Sequence, residues 1–442
     1  MKRVQDAKVL LWGTQIGAVS WLEEEKSGVF QYTPEFVDSG IQPAPFMMPL
    51  RIPAYQFPGL SDTFKGLPGM LSDSLPDNFG TSVINAWLSR QGMSKEDFSS
   101  VERLCIIANR GMGALEFEPA IPFATPLTDL LVIEKLVELT NDILNEKKNV
   151  SVKFDHADNR EALVTLVQVG ISAGGARAKA IVDWNPLTGE FRSGQIKNPE
   201  GFEHWIIKFD GVSKKEDTLI IPPQGFGKIE FVYAEMARLA GINMPQTHLY
   251  HEGGRSHFMI KRFDRDDSGD KIHMQSLGAI RHVDFNSPGS YSYEETLISM
   301  KQLELPASDL EEFFRRAVFN VFARNNDDHV KNIAFLMDRL GRWRLSPAYD
   351  LTFACDPESY WLRRHQMTIN GKADNFSLKD LNLLGALAGL KKKKIQAVIE
   401  QVRQALKNWR GLAEVQEIDP ERIEYIGRSL DDGFDSIITK SS

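Results

Sequence analysis

Between Arg324 and Asp350 the chain reads Arg-Asn-Asn-Asp-Asp-His-Val-Lys-Asn, then Ile-Ala-Phe-Leu-Met, a short turn, and Trp-Arg-Leu-Ser-Pro-Ala-Tyr-Asp. Three of these side chains could do chemistry together. A carboxylate such as Asp327, held beside a hydroxyl, can orient it and accept its proton. The oxygens of Asn332 and Asp350 are hard donors suited to Mg²⁺, and no cysteine or clustered histidine competes for a softer metal. A purely structural reading also exists, in which Asn-Asn-Asp-Asp stops a helix and Asp350 caps the next segment. The elements on either side decide between the two.

Those elements are legible. Phe313, Phe314, Ala317, Val318, Val321 and Phe322 recur at helical spacing, with Ser308 and Glu311 placed for a capping box at the helix start. The polar cluster is too rich in Asn and Asp to continue that helix. Ile333 to Met337 and Trp343 to Ser346 read as short strands joined through Gly341. Asp327, Asp328, His329 and Asn332 are therefore expected on a loop held between rigid elements, with Asp350 just beyond the second strand. Asp327 and Asn332 are also five residues apart, the spacing of base and metal ligand in the protein-kinase catalytic loop, where a further Asp after a hairpin holds the metal.

Asn326-Asp327-Asp328-His329-Val330-Lys331-Asn332, followed by Leu345-Ser346-Pro347-Ala348-Tyr349-Asp350, resembles the C-terminal signature of HipA-family toxins, which are serine/threonine protein kinases. The likeness implies Asp327, Asn332 and Asp350 as catalytic residues, the last two as metal ligands, and places His329 and Lys331 at the nucleotide. Val169 to Val182 has a Ser/Gly-rich centre between apolar flanks and reads as strand, tight loop, strand. It resembles the family's phosphate loop, usually close to Ser-x-Ala-Gly-Ala-x-x-Lys, but carries Gly174 for the usual Ala and Arg177 where Gln is common. The resemblance assigns Ser172, Ala173, Gly174, Gly175 and Lys179 to the nucleotide phosphates and makes Ser172 a self-phosphorylation site. Lys208, inside the strand His204 to Phe209, fits the nucleotide lysine. Glu230 or Glu235, on a helix from Lys228 to Ala240, could pair with it, and the family alignment favours Glu230. Phe258 to Asp264 resembles the hinge, where the backbone of Lys261 and Phe263 would bond the adenine edge.

The implied architecture is α+β: a two-lobed, protein-kinase-like fold with a strand-rich N-terminal subdomain (1–120), a kinase N-lobe (121–262) and an all-helical C-lobe (263–442). Within the first region, Val9 to Leu22 reads as a hairpin, Phe30 to Phe36 as a strand and Ile84 to Arg90 as a helix, and nothing there carries chemistry. Leu127 to Leu144 reads as a helix and Asp264 to Asp270 as a charged loop. Lys391 to Lys394 leads an amphipathic helix and reads as a solvated face. A net charge of −8 gives the whole chain no bias towards polyanions, and two cysteines make neither a disulfide framework nor a zinc site. The N-terminus lacks the apolar core of a signal peptide and no run approaches a membrane span, so a cytoplasmic protein with no membrane partner is expected. The resemblance further implies ATP and Mg²⁺ as cofactors and a cytosolic protein substrate, such as an aminoacyl-tRNA synthetase, whose phosphorylation stalls translation. It also implies a HipB-like helix-turn-helix antitoxin that brings the complex to operator DNA. A small-molecule phosphotransferase and a non-catalytic co-repressor are the alternatives.

Overall fold

The structure, a computed structural model, describes residues 3–94, 96, 98–121, 130–144, 157–170, 177–194, 200–212 and 225–439. Strands β1 (Asp6–Leu11), β2 (Thr14–Leu22), β3 (Ser27–Tyr32) and β4 (Leu115–Glu118) form an antiparallel sheet in the order β3-β2-β1-β4. Ala7, Val9 and Leu11 of β1 are buried while Asp6 and Lys8 face out, the period-two pattern of a half-buried strand. The expected hairpin forms, with Trp12 and Gly13 both at positive φ in its two-residue turn. The strand expected over Phe30 to Phe36 stops at Tyr32, where Thr33 caps a helical turn. Helix α1 (Asn78–Arg90) starts six residues earlier than expected because the Asp77 side chain accepts from the Gly80 amide at 2.7 Å. Helix α2 (Ser100–Ile107) follows from a Ser99/Glu102 capping box.

Next come α3 (Ile133–Leu144) and α4 (Ala157–Gly170), then a five-stranded antiparallel sheet ordered β6-β5-β7-β9-β8. Its strands are β5 (Lys179–Trp184), β6 (Phe191–Ser193), β7 (Glu203–Lys208), β8 (Thr247–Glu252) and β9 (Arg255–Lys261), with α5 (Phe226–Leu239) packed on β8 and β9. The strand expected before the glycine-rich loop is instead the end of α4. Leu163, Leu166, Val167 and Gly170 recur at three- and four-residue intervals, and this face packs on α1. A short apolar run at a helix end cannot be told from a strand by periodicity.

The third region is not all-helical. Strands β10 (His273–Ser276), β11 (Ala334–Met337) and β12 (Trp343–Leu345) form an antiparallel sheet in that order. The β11–β12 hairpin was expected, but its open edge is covered by β10, in the register His273 to Met337 and Ser276 to Ala334. Around this sheet lie α6 (Tyr293–Gln302), α7 (Ala307–Phe322), α8 (Leu378–Leu387), α9 (Lys392–Leu406), α10 (Trp409–Val415) and α11 (Pro420–Thr439). The expected Ser308/Glu311 capping box does not form. Pro306 occupies the N-cap of α7, and Glu311 pairs with Arg315 and Lys394, both at 2.9 Å. The lysines before and within α9 are exposed.

The N-terminal subdomain is stitched to this third region. The Asp73 carboxylate accepts from the Ser276 amide (2.7 Å) and hydroxyl (2.8 Å), the Gly69 amide donates to His282 Nε2 (2.8 Å), and the Trp12 indole donates to the Lys271 carbonyl (2.9 Å). Asp264, read from sequence as part of a charged loop, is fully buried between Arg262 (2.7 Å) and Arg265 (2.8 Å) and accepts from the Gly113 amide at 2.7 Å. Asp264, at the end of the segment expected to form a hinge, is thus tied to the N-terminal subdomain. No described helix is long and apolar enough to cross a membrane.

Candidate active site

Helix α7 ends at Phe322, and the chain turns through Arg324 at φ 55°. Asn325 and Asn326 then fix the loop. The Asn325 amide group donates to Asn320 Oδ1 (2.9 Å), and that of Asn326 donates to the Leu362 carbonyl (2.7 Å). The two acids that follow part company. Asp327 has its side chain about half exposed. Asp328 is buried and accepts from the Tyr293 hydroxyl (2.8 Å), the His365 Nδ1 (2.8 Å) and the Gln366 amide (2.7 Å). Such a fully bonded buried carboxylate holds the loop in place. Asn332 donates its amide to the Asp327 carbonyl at 2.8 Å, which closes the loop and leaves its Oδ1 as the atom able to ligate a metal. His329 Nε2 stands 3.8 Å from the Asp327 carboxylate, with its ring against Phe285. The Lys331 ammonium also lies over Phe285, and its carbonyl accepts from the Tyr349 hydroxyl at 2.8 Å.

Across the cleft, Lys179 on β5 stands directly opposite Lys208 on β7. Two lysines facing each other on neighbouring strands repel unless anions sit between them. The anions are Glu230 of α5 and Asp350, both bonded to the Lys208 ammonium. Burial pushes Asp350 up, but Lys208 and Lys179 outweigh it and hold the carboxyl well below the usual range. Burial works against the charge on Lys208, yet Asp350 and Glu230 keep it above the ordinary lysine value. Burial dominates at Lys179 and pulls it down. Asp350 itself adopts φ 53°, a conformation non-glycine residues rarely take. Glu235 pairs with Arg238 instead, so the choice between the two glutamates falls on Glu230. Arg177 lies over the Phe226 ring and 3.8 Å from Glu230.

The remaining expected residues divide. Lys261 donates its amide to the Gln246 carbonyl (2.9 Å) and its ammonium to Glu203 (2.9 Å), so only its carbonyl could serve a base edge. The Phe263 ring rests against Tyr349 at 5.6 Å. Ser172, Ala173, Gly174 and Gly175 lie outside the described residues.

Sequence reasoning missed Asp77. A Cβ added at Gly170 would lie 3.3 Å from the Phe79 ring and 3.5 Å from the Lys179 carbonyl, which sets the start of α1 against the start of β5. Burial pushes the Asp77 carboxyl up to about 6, with Lys179 and then Lys331 pulling the other way. Its Oδ2 has no hydrogen-bond partner among the described residues. An N-cap aspartate carries no sign of this in sequence, since only the tertiary contact brings it to the cleft. Tyr293 and His365, which fix Asp328, were missed for the same reason.

A family model described as the HipA-like C-terminal domain matches residues 171–409, just over half of the chain. A second, the HipA N-terminal domain, matches residues 7–118. Among curated proteins, "Putative kinase Y4dM" of Sinorhizobium fredii is 27% identical over 162 residues, which cover 33% of this chain and 36% of that protein. "Putative kinase Y4mE" of the same organism is 24% identical over 213 residues, 45% of this chain and 46% of that protein. The chain thus spans between a third and a half of these relatives' length. Among solved structures, HipA of the Shewanella oneidensis MR-1 toxin antitoxin system, in complex with HipB and operator DNA, covers 97% of this chain and 96% of its own at 18% identity. The TM-score is 0.66, a likeness of fold.

Proposed function

This chain belongs to the HipA family, and from that premise we propose that it is an ATP- and Mg²⁺-dependent serine/threonine protein kinase, the toxin of a toxin–antitoxin pair. The observation that carries the proposal is the Lys208 ammonium bonded to both Glu230 and Asp350, across the cleft from Asp327 and Asn332. That lysine–glutamate pair and metal-side aspartate are the parts a kinase needs in place before phosphoryl transfer.

The donor set fits the cofactors. Asn332 and Asp350 offer hard oxygens, and no cluster of three or more Asp, Glu, His or Cys among the described residues could hold a metal alone. Mg²⁺ there would take its remaining ligands from phosphate and water and would neutralise charge on the transferring group. Lys179 and Lys208 would hold the nucleotide phosphates, with Glu230 keeping Lys208 in position. Asp350, drawn to Lys208 otherwise, would turn to the metal. Asp327 would orient the acceptor hydroxyl and take its proton as the oxygen attacks phosphorus, and Asp328 and Asn332 keep that carboxylate where it is needed. The HipB–DNA complex of its structural neighbour supports a HipB-like antitoxin as the partner that leads to operator DNA, and the sequence resemblance alone suggests a translation protein as substrate.

The test is incorporation of γ-labelled phosphate from Mg·ATP into proteins of a host lysate, with mass spectrometry of the kinase itself at Ser172. Asp327→Asn and Asp350→Asn are expected to lose transfer by a factor of at least ~10². Near wild-type turnover in either variant would defeat the assignment.

A further inference from the structure

Beyond Asp350 the chain folds back over the catalytic loop. Gln366 donates its amide to Asp328, and the Leu362 carbonyl accepts from Asn326. This segment exposes Arg363 and Arg364, which have no carboxylate partner among the described residues. With Arg324 they line one open cavity, shared with Asn326, His365 and Asp374. Among the described residues Arg324 donates its Nε to a neutral carbonyl, that of Ser429, at 3.2 Å. The histidine is held by Asp328, and Asp374 accepts from Asn375 at 3.0 Å. Three arginines and one carboxylate therefore line this cavity among the described residues, in a chain whose net charge is −8. Like charges gathered in this way repel unless an anion from outside offsets them. Planar N–H forks match the oxygens of a phosphate, and several together suit a dianion better than a carboxylate.

We propose that this cavity is a phosphate-monoester site, which grips a phosphorylated side chain of a protein partner beside the catalytic loop. Asn326 lines the cavity and immediately precedes Asp327, so a peptide gripped here lies beside that carboxylate's loop. Tyr360 and Trp361, 58% and 45% exposed, stand on the same segment with their rings 5.0 Å apart, and Arg363 lies 5.4 Å from the Tyr360 ring. A free phosphate ion has no use for such an apolar platform, whereas a peptide flanking the phosphate would cover it. An internal nucleic-acid phosphate carries one charge rather than two, and the acidic chain disfavours a polyanion.

The experiment is calorimetric titration of the full chain with a phosphoserine peptide, the same peptide unphosphorylated, inorganic phosphate and a single-stranded RNA oligonucleotide. The phosphopeptide is expected to bind at least ~tenfold more tightly than the other three, and the double variant R363A/R364A to weaken it by at least ~tenfold at an unchanged melting temperature. R363K/R364K, which keeps the charge but loses the forks, is expected to fall between. Equal binding by wild type and R363A/R364A would overturn the site. Inorganic phosphate or RNA matching the phosphopeptide would overturn its assignment to a protein-borne group. The readout needs no phosphoryl transfer, so its failure and that of the proposed kinase activity are separate results.

Discussion

Asp327 and Asp328 are neighbours with opposite surroundings, and substitutions at the two are expected to fail in different ways. Asp327→Asn changes a half-exposed group that bonds nothing in the core, so thermal stability should stay near wild type while transfer is lost. Asp328→Ala strips the acceptor from Tyr293, His365 and Gln366 together. Leaving such buried donors unpaired is expected to lower stability by about 3 kcal/mol. Thermal unfolding of both variants checks this, and an equally stable Asp328→Ala would mean the network does not hold the loop. Residue types and spacing singled out Asp327, Asn332 and Asp350, and Lys208 came forward only with the family resemblance. They gave no sign that Asp328 is buried and fully bonded, because adjacent acids in a loop differ only in which way the backbone turns them. Asp77 lay beyond reach altogether, its nearness to Lys179 being a contact between regions a hundred residues apart in the chain.

Glu230 reaches Lys208 because α5 lies close on β9. A Cβ added at Gly227 would sit 2.1 Å from the Ser256 carbonyl oxygen, a backbone atom that cannot step aside. Gly227→Ala should push the first turn of α5 away from the sheet, costing about 1–3 kcal/mol as overpacking does. Glu230, one turn further along, would move with it, so Mg·ATP affinity should fall as well. Unchanged nucleotide binding in a destabilised Gly227→Ala would show that the helix tolerates the shift. This element was legible, with Ile229, Val232, Tyr233 and Met236 lining one apolar face. The glycine-rich loop's entry was not, since α4 ends in Val167-Gln168-Val169, an apolar–polar alternation that also suits a strand. The pairing of β10 with β11 was not legible either, as strands over fifty residues apart announce their partnership nowhere in local pattern.

At the scale of the molecule, the N-terminal subdomain and the third region are held together in part by neutral histidines. Burial pushes His273 and His282 down to about 4, and His257 in the five-stranded sheet likewise. An unfolded histidine titrates near 6.5, so the folded chain resists protonation between about 6.5 and 4. The stability these groups contribute is complete above that window and is lost as the pH falls through it. Asp77, pushed up to about 6, and the Asp183 and Glu252 carboxyls, which burial also raises, work in the opposite direction, while His248, lowered by burial, adds to the histidines. Melting temperature should therefore drop from pH 7 to pH 5. The fully buried His273 accounts for about 2 kcal/mol of that change. His273→Gln should flatten the profile, and a profile as steep as the wild type's would place the effect elsewhere.

The lysine that Asp350 neutralises lies 142 residues before it, and the carbonyl that receives the Trp12 indole lies 259 residues after the tryptophan. A ribosome adds about 5–20 residues per second, so roughly 7 to 30 s separate the making of Lys208 from that of Asp350. Through that interval the two facing cations have Asp77 and Glu230 as counter-ions, and the N-terminal sheet waits for the surface it will lean on. A nascent chain stalled or cut between Lys208 and Asp327 holds the cleft's cations but neither the Asp327 nor the Asp350 carboxylate. Chain order thus acts as a clock, in which the last of the proposed catalytic side chains arrives when nearly four-fifths of this sequence has been made.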